Sequence, residues 1–119
     1  MNKFKDLLVW QKAVDLATEI YDITAKFPSE ERFGLVSQIN RCTVSIASNI
    51  AEGAGRNSNN EFVHFIGIAV GSAFELETQI IIAGNLKLVN AEALSILTNK
   101  LNDIQNMLFG LQKALKSKK

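Results

Sequence analysis

Several residue types are nearly missing from the 119-residue sequence, and each scarcity excludes a class of protein. Cysteine, histidine and proline each occur once, as Cys42, His64 and Pro28. A single cysteine excludes an intrachain disulfide framework, and one cysteine with one histidine cannot supply the ligands of a structural zinc site. The single proline interrupts the chain at one place only, which leaves room for long helices on either side.

Net charge is also small. Thirteen Lys and Arg residues face twelve Asp and Glu residues, which gives a net charge of +1 and no overall basic field to attract a polyanion. The positive charge is concentrated in the C-terminal tail, at Lys113, Lys116, Lys118 and Lys119. These lysines either contact phosphate groups or simply form a solvated helix end that suits the helix dipole.

No segment is predicted to span a membrane. The longest uncharged run, residues 62–74, includes His64 and Ser72 and is shorter than the roughly 20 apolar residues that a bilayer requires. The N-terminus leads into no apolar block of the signal-peptide type. We therefore expect a cytoplasmic protein with no membrane partner, and the length predicts a single domain over residues 1–119.

What the sequence does contain is four long segments with a 3.6-residue apolar period and no convincing strand. The predicted helices cover about residues 6–26, 29–54, 58–85 and 90–115. Ser29, Ser58 and Asn90 are the expected N-caps, Ser58 with Glu61 as a capping box. Gly53 with Gly55, and Gly84 with Asn85, are expected to end the second and third helices. The pattern predicts an all-α fold, an antiparallel up-down-up-down four-helix bundle.

The third predicted helix is apolar on nearly every side. Its core stripe comprises Phe62, Phe65, Ile66, Ala69, Ala73, Leu76 and Ile80. Further apolar or small residues lie away from that stripe, at Val63, Gly67, Ile68, Gly71 and Ile82. A helix that is apolar all round is normally buried all round, and three other helices cannot cover it. We therefore expect a homo-oligomer in which other copies of the chain cover the remaining apolar surface.

The second predicted helix carries a polar stripe opposite its core positions. It consists of Arg41, Ser45, Ser48, Glu52 and Arg56, with Asn49 at its edge. One interpretation is a solvated face with ion pairs running from Arg41 to Glu52. The other is a contact surface for a subunit or a ligand, in which small polar residues allow close approach and the charged residues set the register.

Few residues are arranged for chemistry. Cys42 falls among core positions and is expected to be a packed thiol. Glu61 and His64 have the spacing of one di-iron Glu-x-x-His pair, but a second pair is missing, so we expect no metal and no cofactor. The segment from Gly53 to Arg56 lacks the Lys-Ser or Lys-Thr of a nucleotide-binding loop. Because no nucleophile, base and orienting group occur at workable spacing, we expect a protein that is not an enzyme.

Several motifs together resemble one known family. They are residues 10–13 (WQKA), 33–41 (FGLVSQINR), 45–53 (SIASNIAEG) with Arg56, 62–65 (FVHF) and 71–77 (GSAFELE). The resemblance is to the bacterial four-helix-bundle family named for proteins encoded in intervening sequences of 23S ribosomal RNA genes. It covers almost the whole chain, and the block over residues 45–53 is its most specific part. Cys42 and Ala47 stand where the family pattern leads us to expect Ala and Pro.

The resemblance implies a five-fold ring and a relationship to the accessory protein of diversity-generating retroelements, which binds nucleic acid and a reverse transcriptase. On the matching positions it implies contacts of structure or assembly for Arg41, Asn49, Glu52 and Arg56. We therefore expect a homo-oligomeric scaffold, a pentamer, that binds RNA or DNA. The nucleic-acid candidates are Arg41, Arg56, Lys113, Lys116, Lys118 and Lys119, and the assembly candidates are Asn49, Glu52, Val63, Gly67, Ile68, Gly71 and Ile82. The alternative is an adaptor that docks a protein partner and binds no nucleic acid.

Overall fold

Four α-helices account for most of residues 4–117, the part of the chain that the computed structural model describes. In chain order they are α1 (Leu8–Thr24), α2 (Leu35–Ala54), α3 (Asn59–Asn85) and α4 (Ala91–Lys116), and short 3-10 turns cover Phe4–Asp6 and Ser29–Glu31. No strand occurs in this range. Because the connections are short, successive helices run antiparallel, and the predicted four-helix bundle is confirmed.

Each helix packs along two others. α2 lies between α1 and α3, α3 contacts α4, and α4 returns to α1, whereas the diagonal pairs do not meet through their backbones within residues 4–117. The bundle measures 48 × 23 × 20 Å, which corresponds to one helix length by about two helix diameters. It therefore has four side faces, each formed by two neighbouring helices.

The core contains most of the apolar stripe that the periodicity predicts on α3, although Phe62 and Phe65 of that stripe are only half-buried. On α3 the residues Ile66, Ala69, Ala73, Leu76 and Ile80 are buried, and on α4 the buried seam is Leu97, Leu101, Ile104, Leu108 and Leu115. Aliphatic side chains of this size each contribute about 1.5–3 kcal/mol when fully removed from water. Burial of these two stripes holds α3 and α4 against the other two helices.

The closest approach between helices occurs where the end of α2 meets the start of α3. A Cβ atom added to Gly53 would lie 2.8 Å from Cβ of Phe65 and 2.9 Å from Cδ1 of Phe62. Gly53 therefore lies inside α2 as a packing residue, and the prediction that it ends the helix is wrong. Gly55 is the residue that follows the helix as its C-cap.

Two of the predicted helix starts are confirmed by their hydrogen bonds. Oγ of Ser58 accepts from the backbone N–H of Glu61 at 3.2 Å, and Oδ1 of Asn90 accepts from the N–H of Ala93 at 2.8 Å. Each bond satisfies an amide that the first helical turn leaves without a partner. The starts of α3 and α4 were therefore predictable from local sequence alone.

α3 ends at Asn85, as predicted, but neither Gly84 nor Asn85 forms the turn that ends it. The helix continues through Gly84, where an added Cβ would lie 2.7 Å from Leu94, and the chain reverses at Lys87, which has φ of 63°. The N–H of Leu88 donates to the carbonyl of Ala83 and that of Lys87 to the carbonyl of Gly84, which is the Schellman pattern. Lysine thus takes the left-handed conformation that glycine usually takes at this position.

The start of α2 is also corrected. The sequence predicts one helix from Ser29, but the chain forms a 3-10 turn over Ser29–Glu31 and begins α2 only at Leu35. The interruption is at Gly34, whose φ of −107° and ψ of −103° are outside the helical region. The side chain of Phe33 is consequently 89% exposed beside this break.

α3 is long and apolar enough to cross a membrane if only length and composition are considered. In the bundle it instead forms part of the core, and two of its polar side chains, Ser72 and Gln79, are buried there. A third polar residue, Glu77, accepts a hydrogen bond from Nε2 of Gln105 at 2.8 Å. The core helix of a soluble bundle meets the same criterion, so length and composition alone are weak evidence that α3 spans a membrane.

Candidate functional site

The four faces of the bundle differ in chemistry. The α1/α4 face is charged and includes an ion pair of 2.7 Å between Nζ of Lys100 and Oε1 of Glu19. Lys12, Asp15 and Asp103 lie beside that pair. The α2/α3 face carries most of the polar stripe, whereas the α1/α2 and α3/α4 faces are largely apolar. Two apolar faces therefore lie across the bundle from each other, separated by two polar ones.

The apolar groove on the α1/α2 face has a volume of about 440 Å³. It is lined by Val14, Ala17, Thr18, Tyr21, Asp22, Val44, Ala47 and Ser48. The side chains of Tyr21 and Val44 are exposed there. Ser48, which the sequence groups with the polar stripe, lies in this groove, because it is on the α1 side of α2. We call this surface the α1/α2 groove.

The opposite apolar surface covers the outer side of α3 and the adjoining side of α4. Its exposed members are Gly71, Phe74, Ile81 and Ile82 of α3, with Phe109 of α4. The rings of Phe74 and Phe109 lie with their centroids 6.2 Å apart. We call this set the α3/α4 surface.

Of the assembly candidates on α3, Gly71 and Ile82 belong to this surface. Ile68 instead lies on the α2 side of the helix, on the same stripe as Ser72 and Glu75. Ile68 and Ile82 are 40% and 43% exposed, so the bundle does not bury the apolar side chains that the sequence identifies as surplus. A Cβ added to Gly71 would meet no atom within 4 Å, and one added to Gly67 would approach Nε2 of Gln112 at 3.4 Å. Val63 is half-buried. The role of these residues in assembly stays a prediction.

The polar stripe of α2 forms a hydrogen-bonded seam with α3. Oγ of Ser45 lies 2.9 Å from Oγ of Ser72, and Nδ2 of Asn49 donates to the carbonyl and the hydroxyl oxygen of Ser45 at 2.8 and 2.9 Å. Small side chains at this position let the two helices approach closely enough for hydroxyl groups to meet directly. Asn49 thus has partners within one copy of the chain, and its contribution to assembly stays a prediction.

The ion pair of the stripe joins Glu52 to Arg56. Nη2 of Arg56 lies 2.8 Å from Oε2 of Glu52, and the guanidinium carbon lies 4.7 Å from the ring centroid of Phe65. The predicted ladder from Arg41 to Glu52 is not what the structure contains. Half-exposed pairs of this type contribute about 0–1 kcal/mol, so the pair orients Arg56 more than it stabilises the fold.

A cleft of about 340 Å³ lies at the other end of the same seam. It is lined by Gln38, Arg41, Cys42, Ser45, Ser72, Glu75 and Gln79. Burial raises the pKa of the Cys42 thiol above its ordinary value of 9.0, and the neighbouring Glu75 raises the pKa further. Cys42 is therefore a buried, protonated thiol at neutral pH, which agrees with its prediction as a packing residue.

Sequence reasoning missed Glu75 and Gln79 as members of this cleft. It assigned them only to the sparse polar residues of a mainly apolar helix, because the pairing of α2 with α3 was not known. The antiparallel register that pairs Ser45 with Ser72 places residue 42 opposite residue 75. Only knowledge of that register would have predicted that Arg41 and Glu75 line the same cleft.

The nucleic-acid candidates do not form one continuous patch. Arg41 lies thirteen helical residues, about 20 Å at 1.5 Å per residue, before the last residue of α2, Ala54, whereas Arg56 follows the helix. Lys113 and Lys116 are exposed on the last turns of α4, and Lys118 and Lys119 lie outside the described residues. Contacts of Gln112 with Val63 and of Gly53 with Phe62 place Arg56 and the end of α4 at the same end of the bundle.

Comparison with known proteins agrees with this architecture. A family model described as 23S rRNA-intervening sequence protein matches residues 5–110. A solved structure of a protein of unknown function from the S23 ribosomal protein family of Bacteroides thetaiotaomicron superposes with a TM-score of 0.83. It shares 24% sequence identity, and the match covers 89% of this chain and 96% of that one. No curated protein matches the chain.

The structural likeness shows the fold, and the family match extends over most of the helices and over all of the polar stripe. The relatives are proteins of unknown function and are not known enzymes. Both findings agree with the resemblance carried by residues 45–53 and 71–77. The chain belongs to the 23S rRNA-intervening sequence protein family.

Proposed function

We propose that the protein is a non-enzymatic scaffold that assembles with itself, the α1/α2 groove of one copy receiving the α3/α4 surface of the next. The observation that carries this proposal is the presence of two different exposed apolar surfaces on opposite sides of one small bundle. Contiguous exposed apolar patches of this kind are typical of interaction sites. A second copy supplies an apolar counterpart for each of them.

Because the two surfaces differ, the contact between copies is heterologous, and repetition of one such contact produces a closed ring or an open filament. The family resemblance supports a ring of five copies. In a ring each copy uses both surfaces once, so that Phe74 and Phe109 of every copy are covered. The α2/α3 and α1/α4 faces, which are polar, then remain in contact with water.

The assembly is tested by interrupting each surface separately. Val44→Glu places a charge in the α1/α2 groove, and Phe109→Glu places one on the α3/α4 surface. Wild-type protein is expected to have about five times the monomer mass by light scattering, and each variant is expected to be monomeric. An equimolar mixture of the two variants is expected to form a heterodimer, because one intact groove then meets one intact surface.

Lys12→Gln, on the charged α1/α4 face, is the control and should assemble like the wild type. Circular dichroism of each variant separates loss of assembly from loss of folding. A monomeric wild-type protein at micromolar concentration would refute the proposal. A mixture of the two variants that stays monomeric would refute the heterologous contact.

We also propose that RNA is a ligand of this scaffold, bound at the end of the bundle where Arg56, Lys113 and Lys116 lie. The specific observation in its favour is that Arg56 and the basic end of α4 share one end of the bundle. In a ring all copies present this end on the same side, which multiplies a charge that is small in one copy. Arg41, on the α2/α3 face, would provide a further phosphate contact.

Filter binding of a structured RNA at several salt concentrations tests this second proposal. Affinity is expected to fall steeply as salt rises. Replacing both Lys113 and Lys116 by Gln is expected to reduce the slope of log affinity against log salt by about one for each phosphate group that a lysine neutralises. Lys12→Gln is again the control. RNA that is not retained even at low salt would refute RNA binding and favour the protein adaptor.

A further inference from the structure

The α2/α3 cleft combines charged and hydroxyl side chains from two helices. Its walls carry one cation, Arg41, and one carboxylate, Glu75, with the Ser45 and Ser72 hydroxyls beside them. Arg41 forms no ion pair or hydrogen bond with any residue in the range 4–117. A guanidinium group with five donors is therefore available at the mouth of a concave polar site.

Gln79 provides a second, independent observation. Its side chain lines the cleft, the residue is only 7% exposed, and Oε1 accepts no hydrogen bond from the described residues. A buried acceptor without a partner costs about 1–3 kcal/mol. An apolar side chain of the same length would avoid that cost. Because Oε1 has almost no accessible surface, the Gln79 side chain must rotate towards the cleft before a donor from outside the chain can reach this oxygen.

The volume and the charges limit what that donor belongs to. A space of about 340 Å³ corresponds to roughly ten water molecules at about 30 Å³ each, and hence to a ligand of about ten non-hydrogen atoms. An anion alone would face the carboxylate of Glu75 and the bare oxygen of Gln79. A cation alone would face Arg41. A molecule that carries both charges satisfies all three groups.

We propose that this cleft binds a small zwitterion of the size of a free amino acid. Arg41 pairs with its carboxylate, a geometry that the planar guanidinium favours, and Glu75 and Oε1 of Gln79 accept from its ammonium group. The hydroxyls of Ser45 and Ser72 lie beside the site and are held in register by Asn49. Every residue involved comes from one copy of the chain, so this site does not depend on the proposed assembly.

The experiment is calorimetric titration of the full-length protein with each of the twenty free L-amino acids at millimolar concentrations, together with melting curves. At least one amino acid is expected to bind and to raise the melting temperature with increasing concentration. The N-acetyl derivative, which lacks the ammonium group, and the C-terminal amide, which lacks the carboxylate, are expected to bind at least about tenfold more weakly.

Two variants connect binding to the cleft. Arg41→Gln and Gln79→Met are each expected to weaken binding at least about tenfold. Gln79→Met also removes the unpartnered acceptor, so its melting temperature without ligand should equal or exceed that of the wild type, and weaker binding cannot then be explained by unfolding. Lys12→Gln, on the opposite face, is the control and should bind like the wild type.

Three results would overturn the proposal. The first is that none of the amino acids binds at millimolar concentration. The second is binding that survives both Arg41→Gln and Gln79→Met, which would locate the ligand elsewhere. The third is binding of inorganic phosphate in place of every amino acid with the same dependence on Arg41, which would assign the cleft to simple anions.

Discussion

α2 and α3 meet through small residues in close contact, whereas α1 and α4 are bridged by long charged side chains. α2 and α3 share the most extensive contact in the bundle, and α1 and α4 share the least. The first seam contains Gly53 against Phe62 and Phe65, and Ser45 against Ser72. The second is bridged at its surface by the ion pair of Lys100 with Glu19.

The difference predicts where the addition of a single carbon atom destabilises the fold. At Gly53 and at the pair of Ser45 with Ser72, small residues let α2 and α3 approach until backbone and hydroxyl groups touch, so that no space remains at Gly53 for a larger side chain. Long charged side chains bridge α1 and α4 across solvent, and solvent screens their attraction. Substitutions of similar size should therefore have unequal effects in the two seams, which the following predictions test in order of decreasing expected effect.

Gly53→Ala is expected to produce the largest loss. The new Cβ would lie within 3 Å of both Phe65 and Phe62, so that α2 and α3 must separate, and overpacking of this kind costs about 1–3 kcal/mol. Urea denaturation measures the free energy of unfolding. Gly110→Ala is the matched control, because its Cβ would meet no atom within 4 Å, and it should stabilise α4 by about 0.5–1 kcal/mol. Equal losses in the two variants would contradict the tight seam.

Asn49→Ala is expected to have an intermediate effect. It removes the amide that donates to the carbonyl and the hydroxyl oxygen of Ser45, and loss of such a bond typically lowers stability by about 0.5–1.5 kcal/mol. A double-mutant cycle with Ser72→Ala tests whether Asn49 acts through the hydroxyl pair, in which case the two losses should be less than additive. Full additivity would mean that Asn49 acts independently of Ser72.

Lys100→Gln is expected to have a small effect. Its partner Glu19 and Lys100 itself are both substantially exposed, so the free energy of unfolding should fall by no more than about 0.2–0.5 kcal/mol. The difference from the wild type should disappear in about 1 M salt, where screening is nearly complete. A loss as large as that of Gly53→Ala would remove the contrast between the seams.

The smallest expected effect is a pH dependence that arises from Cys42. Burial and Glu75 raise the pKa of its thiol in the folded state above 9.0, so the protonated thiol favours folding below that pH. As pH rises through 9 and beyond, the unfolded chain loses its thiol proton first, and the stabilisation declines. Denaturation of wild type and Cys42→Ala over this pH range should show the steeper decline in the wild type. Parallel declines would contradict the raised pKa.

Much of the fold was predictable because the signals are local. The cap at Asn90 and the core stripe of α3 from Ile66 to Ile80 depend on spacing within one helix, and the structure confirms both. Other features required knowledge of a distant segment. Gly53 is of a residue type that often ends helices, but it lies inside α2 opposite Phe62 and Phe65, where only a glycine lets the two helices approach so closely. Lys87 adopts a left-handed conformation that nothing in its side chain predicts.

The candidate sites divide in the same way. The surplus apolar surface of α3 follows from periodicity alone, since Ile68 and Ile82 cannot face the same side as Ile66 and Ile80. The α2/α3 cleft does not follow, because Arg41 and Glu75 are far apart in sequence and only the helix register brings them together. Residue type alone groups the basic residues together, although about 20 Å of helix separates Arg41 from the end of α2 that Arg56 follows.

By itself, the order of residues determined that this chain forms four helices, where α3 and α4 begin, and that one helix has more apolar surface than a single bundle can bury. These properties depend on interactions within a few residues along the chain, which a 3.6-residue period and a capping side chain encode directly. Only the tertiary structure decided which faces are apolar, that Ser45 meets Ser72, and that Arg41, Glu75 and Gln79 share a cleft. Those outcomes depend on how helices distant in sequence pack, which is set by the fit of their side chains as a whole.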